Sequence, residues 1–334
     1  MTTKRKASEM LKEPHATPAM VRAMVELGRV EDDCGLRQVA AQPTTGSGPL
    51  AKAVRLPVWA EAVRGVPNGV LRSALFGAIK KGPRRYLEHE RIASLEGVDI
   101  HYTGPRLDQG DLDVWQAVLH LARLQDMGEQ CRFTAYAMLK MLGKADTGQN
   151  RATLHKRLLR LRANAVEIRQ VRFSYIGGLV DEAYKDEETL EYVVVLNPKL
   201  RALFERDQWT ATDWAVRLEL VGHPLAQWLH GFYATHAQPY PMSVEKLHGL
   251  CGSEATNLSD WKTKDLRKSL DSVASACEKH GQAFSAEIAD DLVCVDRQPS
   301  QSQQRHLANK AKQKSAGPRR KAMTSVSDLL KPRK

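Results

Sequence analysis

No stretch of this 334-residue sequence approaches the roughly 18 consecutive apolar residues of a membrane-spanning helix. The opening MTTKRKASEMLKEP has no apolar segment behind its charges, so a secretory leader is excluded and a soluble, cytoplasmic chain with no membrane partner is expected. Aromatic residues are scarce, at 6%, so the cores must rest on Leu, Val, Ala and Ile. The five cysteines (Cys34, Cys131, Cys251, Cys277 and Cys294) form no CxxC pair. An odd, scattered set argues against a disulfide framework and fits a reducing compartment. His248 and Cys251 stand three apart, but nothing nearby completes a tetrahedral donor set, so no metal is expected. Catalytic signatures are missing as well. There is no GxxxxGK[ST], GxSxG or HExxH, and no His-hydrophobe-His cluster followed by a catalytic Tyr. Asp111 and Asp113, two apart, face different sides of a helix and suit an N-terminal dipole better than paired acid-base work. A non-enzymatic protein without cofactor is the expectation.

What is present is unevenly distributed charge. The net +11 resides mostly at the end: residues 297–334 carry 11 Lys and Arg against the single acid Asp328. Residues 1–55 carry 9 basic and 6 acidic residues, leaving 30 basic and 32 acidic ones for 56–296. Any basic surface on the body must therefore be local. Residues 1–55, with QPTTGSGP at 42–49, suit a flexible arm, and 298–334 a basic disordered tail.

Between the ends lies a repeat. FTAYAMLKMLG at 133–143 matches MSVEKLHGLCG at 242–252. Thr134 and Ser243 stand where a helix N-cap belongs, and Gly143 and Gly252 where a helix ends in a left-handed residue. An amphipathic helix precedes each copy (112–124 and 223–236), and a longer one follows (about 149–165 and 258–278). Strand pairs come next: 165–177 with 189–197, and 283–289 with 291–296. This order predicts a mainly α chain with small β-wings, two tandem winged-helix domains at 56–205 and 206–297. Ahead of the first copy, 70–82 has a helical pattern, and 92–104 that of a strand hairpin turning at Gly97.

In such a fold the long helix enters the major groove, so its inner face must be apolar and its outer face must offer donors. In the first copy Leu154, Leu158 and Leu161 form the inner stripe, with Ala165 close by, while Gln149, Thr153, Lys156, Arg157 and Arg160 lie opposite. Across 150–172 seven cations, Arg151 among them, face one acid, Glu167. Like charges four apart repel unless a polyanion is near, which points to phosphate contact. Arg169, Arg172 and Tyr175 are placed on or near the first wing, and the acidic 181–188 is expected to bend away from DNA. In the second copy Leu266, Leu270, Val273, Ala274 and Cys277 form the inner stripe. Asn257, Trp261, Lys264 and Lys268 lie opposite, with Arg267 on the flank. A net +2 over 257–268, with Asn and Lys side chains, suits base-edge reading better than phosphate clamping.

The stretches LPVWAEAVRGVPNGVLRSALFGAIKKG (56–82), GPRLDQGDLDVWQAVLHLARL (104–124), NPKLRALF (197–204), HPLAQWLHGFYATHAQPYPMSVEKLHGLCGSEA (223–255) and HGQAFSAEI (280–288) resemble the TrfA family of plasmid replication initiators over about 56–296. The resemblance implies binding to iterons, the repeated double-stranded sites of a plasmid origin. It also implies opening of adjacent AT-rich DNA into single strands, and recruitment of the host initiator, replicative helicase and sliding clamp. It further implies a monomer active on DNA and a homodimer linked to copy control. Family members are similar to clamp-binding proteins in using a peptide ending in Leu-Phe. Leu75-Phe76 matches that ending, without the usual leading Gln. A double winged-helix transcriptional regulator is the alternative the residues leave open.

Overall fold

A computed structural model describes residues 54–315 except 81, 171, 172 and 206. The chain runs through β1 (Val63–Pro67), α1 (Asn68–Leu71), β2 (Phe76–Gly77), β3 (Tyr86–Ile92), β4 (Val98–Pro105), β5 (Leu107–Asp108), α2 (Gln109–Ala122), β6 (Gln130–Thr134), α3 (Ala135–Met141) and α4 (Gly148–Arg162). Then follow β7 (Ala165–Gln170), β8 (Phe173–Gly177), β9 (Glu182–Lys185), β10 (Glu191–Val195), a 3-10 turn at Pro198–Phe204, β11 (Trp209–Asp213), α5 (Trp214–Glu219) and α6 (Pro224–Ala234). The last part holds β12 (Met242–Ser243), α7 (Val244–Leu250), α8, β13 (Phe284–Ala289), β14 (Leu292–Arg297) and α9 (Gln301–Ser315). Helix α8 joins three successive segments, Leu258–Asp260, Trp261–Leu266 and Arg267–Lys279. With five sheets among the described residues, the architecture is mixed α and β and not mainly α.

The repeat is present as structure. Helix α2, strand β6, short helix α3 and long helix α4 in one half answer to α6, β12, α7 and α8 in the other. The Thr134 hydroxyl accepts from the Ala137 N–H at 3.1 Å and Ser243 from Lys246 at 3.2 Å. Both short helices then turn at a glycine in the left-handed region, Gly143 at φ 63° and Gly252 at φ 64°. Strand order matches too: β6-β10-β9 in the first half, β12-β14-β13 in the second. The second hairpin turns on Asp290 and Asp291, both at positive φ, as a two-residue turn matched to strand twist requires.

Three expectations need correction. The hairpin of the first half is not 165–177 with 189–197. Thirteen residues exceed an ordinary strand, and 165–177 folds back on itself as β7 and β8, which extend β3 and β4 into a four-stranded sheet. The acidic stretch 181–188 supplies β9, paired with β10. The helix expected over 70–82 stops at Leu71. There the Ser73 hydroxyl donates to the Val70 carbonyl at 3.0 Å, a local bond that competes with helix continuation. The chain then enters β2, parallel to β5. Finally, 301–315 is helical where a disordered tail is expected; the arm at 1–53 and residues 316–334 lie outside the described residues.

Two apolar clusters form the core, one running from Leu56 to Trp214 and the other from Val216 to Val295. The clusters divide there because β11 pairs with β1 and so packs with the first half. A polar joint spans the two halves. Arg217 on α5 is 1% exposed. Its Nε meets Asp113 at 2.6 Å, and its terminal nitrogens donate to the Gln109 side chain at 3.1 Å and the Gln227 carbonyl at 3.3 Å. Removing one partner of a buried ion pair leaves an uncompensated charge, at a cost of about 3–5 kcal/mol. Arg217→Ala should lower unfolding stability by that amount in urea titrations, and Arg217→Met together with Asp113→Leu by clearly less.

Histidine burial makes stability depend on pH. Burial, with Arg217 and Arg297 nearby, pushes His230 down to about 3. His236 is pushed down to about 4, by burial first and by Arg72 and Arg297 against the opposing Phe232 carbonyl bond. Unfolded histidine takes up its proton near 6.5, so the folded state binds fewer protons below that value. Stability is complete above about pH 6.5 and falls on acidification, by up to about 1.4 kcal/mol per pH unit per histidine. Urea titrations at pH 7 and pH 5 should show that loss; equal stabilities would mean that both rings are charged in the folded protein.

Candidate nucleic-acid interface

The long helix of the first half, α4, starts at Thr147, whose hydroxyl accepts from the Asn150 N–H at 3.2 Å. Leu154, Leu158 and Leu161 face inward as expected, while Ala165 is exposed at the start of β7. The opposite face carries far less free charge than its sequence implies. Arg157 Nη1 lies 2.8 Å from Asp108, and Arg160 Nη2 lies 2.6 Å from Asp111, whose side chain is fully buried. Arg84 also pairs with Asp108. Asp108 and Asp111 form a reciprocal cap on α2, each carboxylate accepting from the other's backbone N–H at 2.9–3.0 Å. Burial pushes the Asp108 carboxyl up, but Arg157, Arg84 and the Asp111 N–H together hold it below the usual range. Burial and the Asp108 charge raise Asp111. A Cβ on Gly110 would lie 2.1 Å from the Arg157 guanidinium, so a larger residue there would displace Arg157 from Asp108.

Other cations of this face are paired more loosely. Arg151 makes two 2.6 Å bonds to Asp146, and Arg169 lies 2.7 Å from Glu167. The Thr153 hydroxyl donates to the Gln149 carbonyl. Lys156 is exposed, with no ion pair among the described residues. Arg172 lies outside the described residues, and Tyr175 is buried, its hydroxyl donating to Gly178 at 2.5 Å. A groove of about 660 Å³ runs beside α4, between Lys80, Arg84, Lys144, Gln149, Thr153 and Gln227. Lys80 and Lys144 were missed by the sequence reading because they stand outside the repeat's helices, with only their charge as a signal.

The long helix of the second half, α8, keeps its donors. Asn257 caps it, Oδ1 accepting from Asp260 at 3.0 Å, which leaves the amide nitrogen to donate. Lys264, Arg267 and Lys268 are exposed, with Asp260 3.0 Å from Lys264 across one turn. Trp261 is a correction: it is 3% exposed, edge-on to His248 at 4.8 Å between ring centres. At 100° per residue Trp261 and Leu266 stand about 140° apart. Here the segment Trp261–Leu266 is a π-helix, with the Arg267 N–H bonded to the Lys262 carbonyl five residues back. The wider turn brings residues five apart onto one face and rotates Trp261 into the core. Lys262 pairs with Asp291 at the hairpin tip, tying the helix to its hairpin.

Leu75 and Phe76 do not form a presented peptide. They are 2% and 1% exposed, and Phe76 stacks on Trp115 with ring centres 5.9 Å apart. The Cys251 thiol donates to the His248 carbonyl at 3.3 Å.

The profile of the TrfA protein family matches residues 51–297, most of the chain. The chain belongs to the TrfA family. A curated relative, the plasmid replication initiator protein TrfA of Escherichia coli, is 29% identical over 250 residues, covering 72% of this chain and 63% of that protein. The match thus spans a little under two thirds of that TrfA. Among solved structures, domains 2 and 3 of RctB align with a TM-score of 0.47 at 12% identity, over 70% of this chain and 96% of that one. The Pi initiator protein in complex with iteron DNA aligns with a TM-score of 0.43 at 8% identity, over 57% and 91%. Both likenesses are too distant to carry a statement about this fold. Among the described residues no helix is long and apolar enough to cross a membrane.

The two kinds of arginine and lysine on α4 should separate on substitution. Arg160→Ala leaves Asp111 buried with one partner fewer and should cost about 3 kcal/mol of stability. Lys156→Ala should leave stability within about 0.5 kcal/mol and weaken DNA binding equally on all sequences. Denaturant midpoints and gel shifts on two unrelated duplexes check this, and the reverse pattern would restore Arg160 as a phosphate contact.

Proposed function

We propose that this protein is a plasmid replication initiator, a non-enzymatic protein that binds repeated double-stranded sites of an origin through two tandem winged-helix units. The observation that carries the reading is the twofold helix, strand, short helix, long helix and hairpin order, with one strand order in both halves, inside a TrfA-family chain. That order presents a long helix to a major groove. Helix α8 is the base reader, through the Asn257 amide and the exposed Lys264, Arg267 and Lys268. The first unit contributes less phosphate contact than its charge implies, chiefly Lys156, because Arg157 and Arg160 are committed to α2. Opening of AT-rich DNA, recruitment of host helicase, initiator and clamp, and a monomer on DNA with a homodimer off it belong to the same reading, supported by the family. Leu75 and Phe76 are not part of it, since presenting them would require unfolding the core.

The test is a gel shift on the origin fragment against scrambled DNA at 50 and 200 mM salt. Preference for the direct repeats should persist at high salt, and Asn257→Ala or Lys264→Ala should relax it by about 1–3 kcal/mol of discrimination. Equal, salt-labile binding to both fragments would sink the reading. Preference for a promoter palindrome over the repeats would mark a transcriptional regulator instead.

A further inference from the structure

Helix α9 lies beyond the family match, which ends at residue 297. Its start is built. The Ser300 hydroxyl accepts from the Gln303 N–H at 3.3 Å while Gln303 Oε1 accepts from the Ser300 N–H at 2.9 Å, a reciprocal cap. The same Gln303 side chain docks the helix: Nε2 donates to the Ala234 carbonyl at 2.8 Å, and Oε1 accepts from Arg297 Nη1 at 3.0 Å. Arg297 also donates to the His236 carbonyl at 2.8 Å, so the root of α9 is tied to the end of α6 and the base of β14.

Beyond this root the helix has little to rest on. Of residues 301–311, only Gln303 and Leu307 are half-buried. At 100° per residue these two share a face, and Arg305 and Asn309 lie on the opposite one. Lys310 falls on the Gln303 and Leu307 side but is exposed, since it lies past the docked root. Over 301–315 the sequence has four Lys and Arg and no acid. The sequence puts like charges four apart at Lys310 and Lys314, and with only Gln303 and Leu307 half-buried among its described side chains the helix gains little from packing or from pairs of its own. Fifteen residues extend about 22 Å, much of a DNA turn.

We propose that α9 is a further duplex-DNA contact, an arm whose exposed cations Arg305 and Lys310 take phosphates beyond the bases read by α8. This rests on the DNA-binding reading above. Duplex DNA is favoured over an acidic protein by what the exposed face lacks. Its side chains are Gln301, Ser302, Arg305 and Asn309, with no aromatic or large apolar anchor. Protein interfaces need such an anchor at their centre, whereas phosphates need only charge and donors.

The experiment uses the full chain and three proteins: wild type, Arg305→Ala with Lys310→Ala, and Gln303→Ala, which keeps every charge but frees the root. Binding to the origin fragment is measured by fluorescence anisotropy from 50 to 200 mM salt. Two lost phosphate contacts reduce the slope of log K against log salt by about 1.8, so the loss of affinity over that range shrinks about twelvefold. The double variant should show that smaller slope with unchanged preference for the repeats over scrambled DNA, and Gln303→Ala should fall between. An unchanged slope in the double variant overturns the proposal, including the case where the helix serves an acidic protein. Wild type that binds no DNA would instead sink the function proposed above.

Discussion

The first turn of α2 is the joint on which the structure depends. Asp108 and Asp111 cap the helix for each other and, in doing so, point their remaining oxygens at Arg84, Arg157 and Arg160. Gln109 and Asp113, in the same stretch, hold Arg217 from α5. Four side chains within positions 108–113 thus connect α4, the segment before β3 and the second half of the molecule. Asp108 and Asp111 are buried and Asp113 is half-buried, so their carboxylates must be paired, and the arginines are committed by that need.

This commitment shapes the surface proposed to meet nucleic acid. A window of sequence around α4 contains cations and almost no acid, and that count is correct as chemistry along the chain. In three dimensions the counter-charges come from α2, about fifty residues earlier, and from Asp146 in the turn before α4. Much of the face is neutralised from outside the window. Around α8 the ion pairs lie at the surface, Lys264 with Asp260, Lys262 with Asp291 and Lys279 with Glu219, so its exposed lysines and arginine are not drawn inward. Unburied cations are thereby concentrated on α8, and the polar joint at Arg217 ties the second half to the first.

Local periodicity was a sound guide wherever the backbone kept an ordinary repeat. The Leu154, Leu158 and Leu161 stripe, the caps at Thr134 and Ser243, the glycine stops and the second hairpin were legible because each rests on neighbours within a few residues. Trp261 was not, because a π-turn changes the angle per residue and no local rule announces it. Leu75 and Phe76 were misplaced for a related reason. Their helical pattern is interrupted by a serine hydroxyl, and the strand that follows exists only because Leu107 and Asp108 are beside it.

By itself the sequence determined the repeat, the helices and their caps, the family, and the absence of long apolar runs, since all of these follow from short-range pattern. Tertiary structure alone decided which strand pairs with which, where the two cores divide, and which arginines remain free. The physical reason is that a buried carboxylate recruits whatever cation the fold brings near it, and sequence distance does not limit that choice.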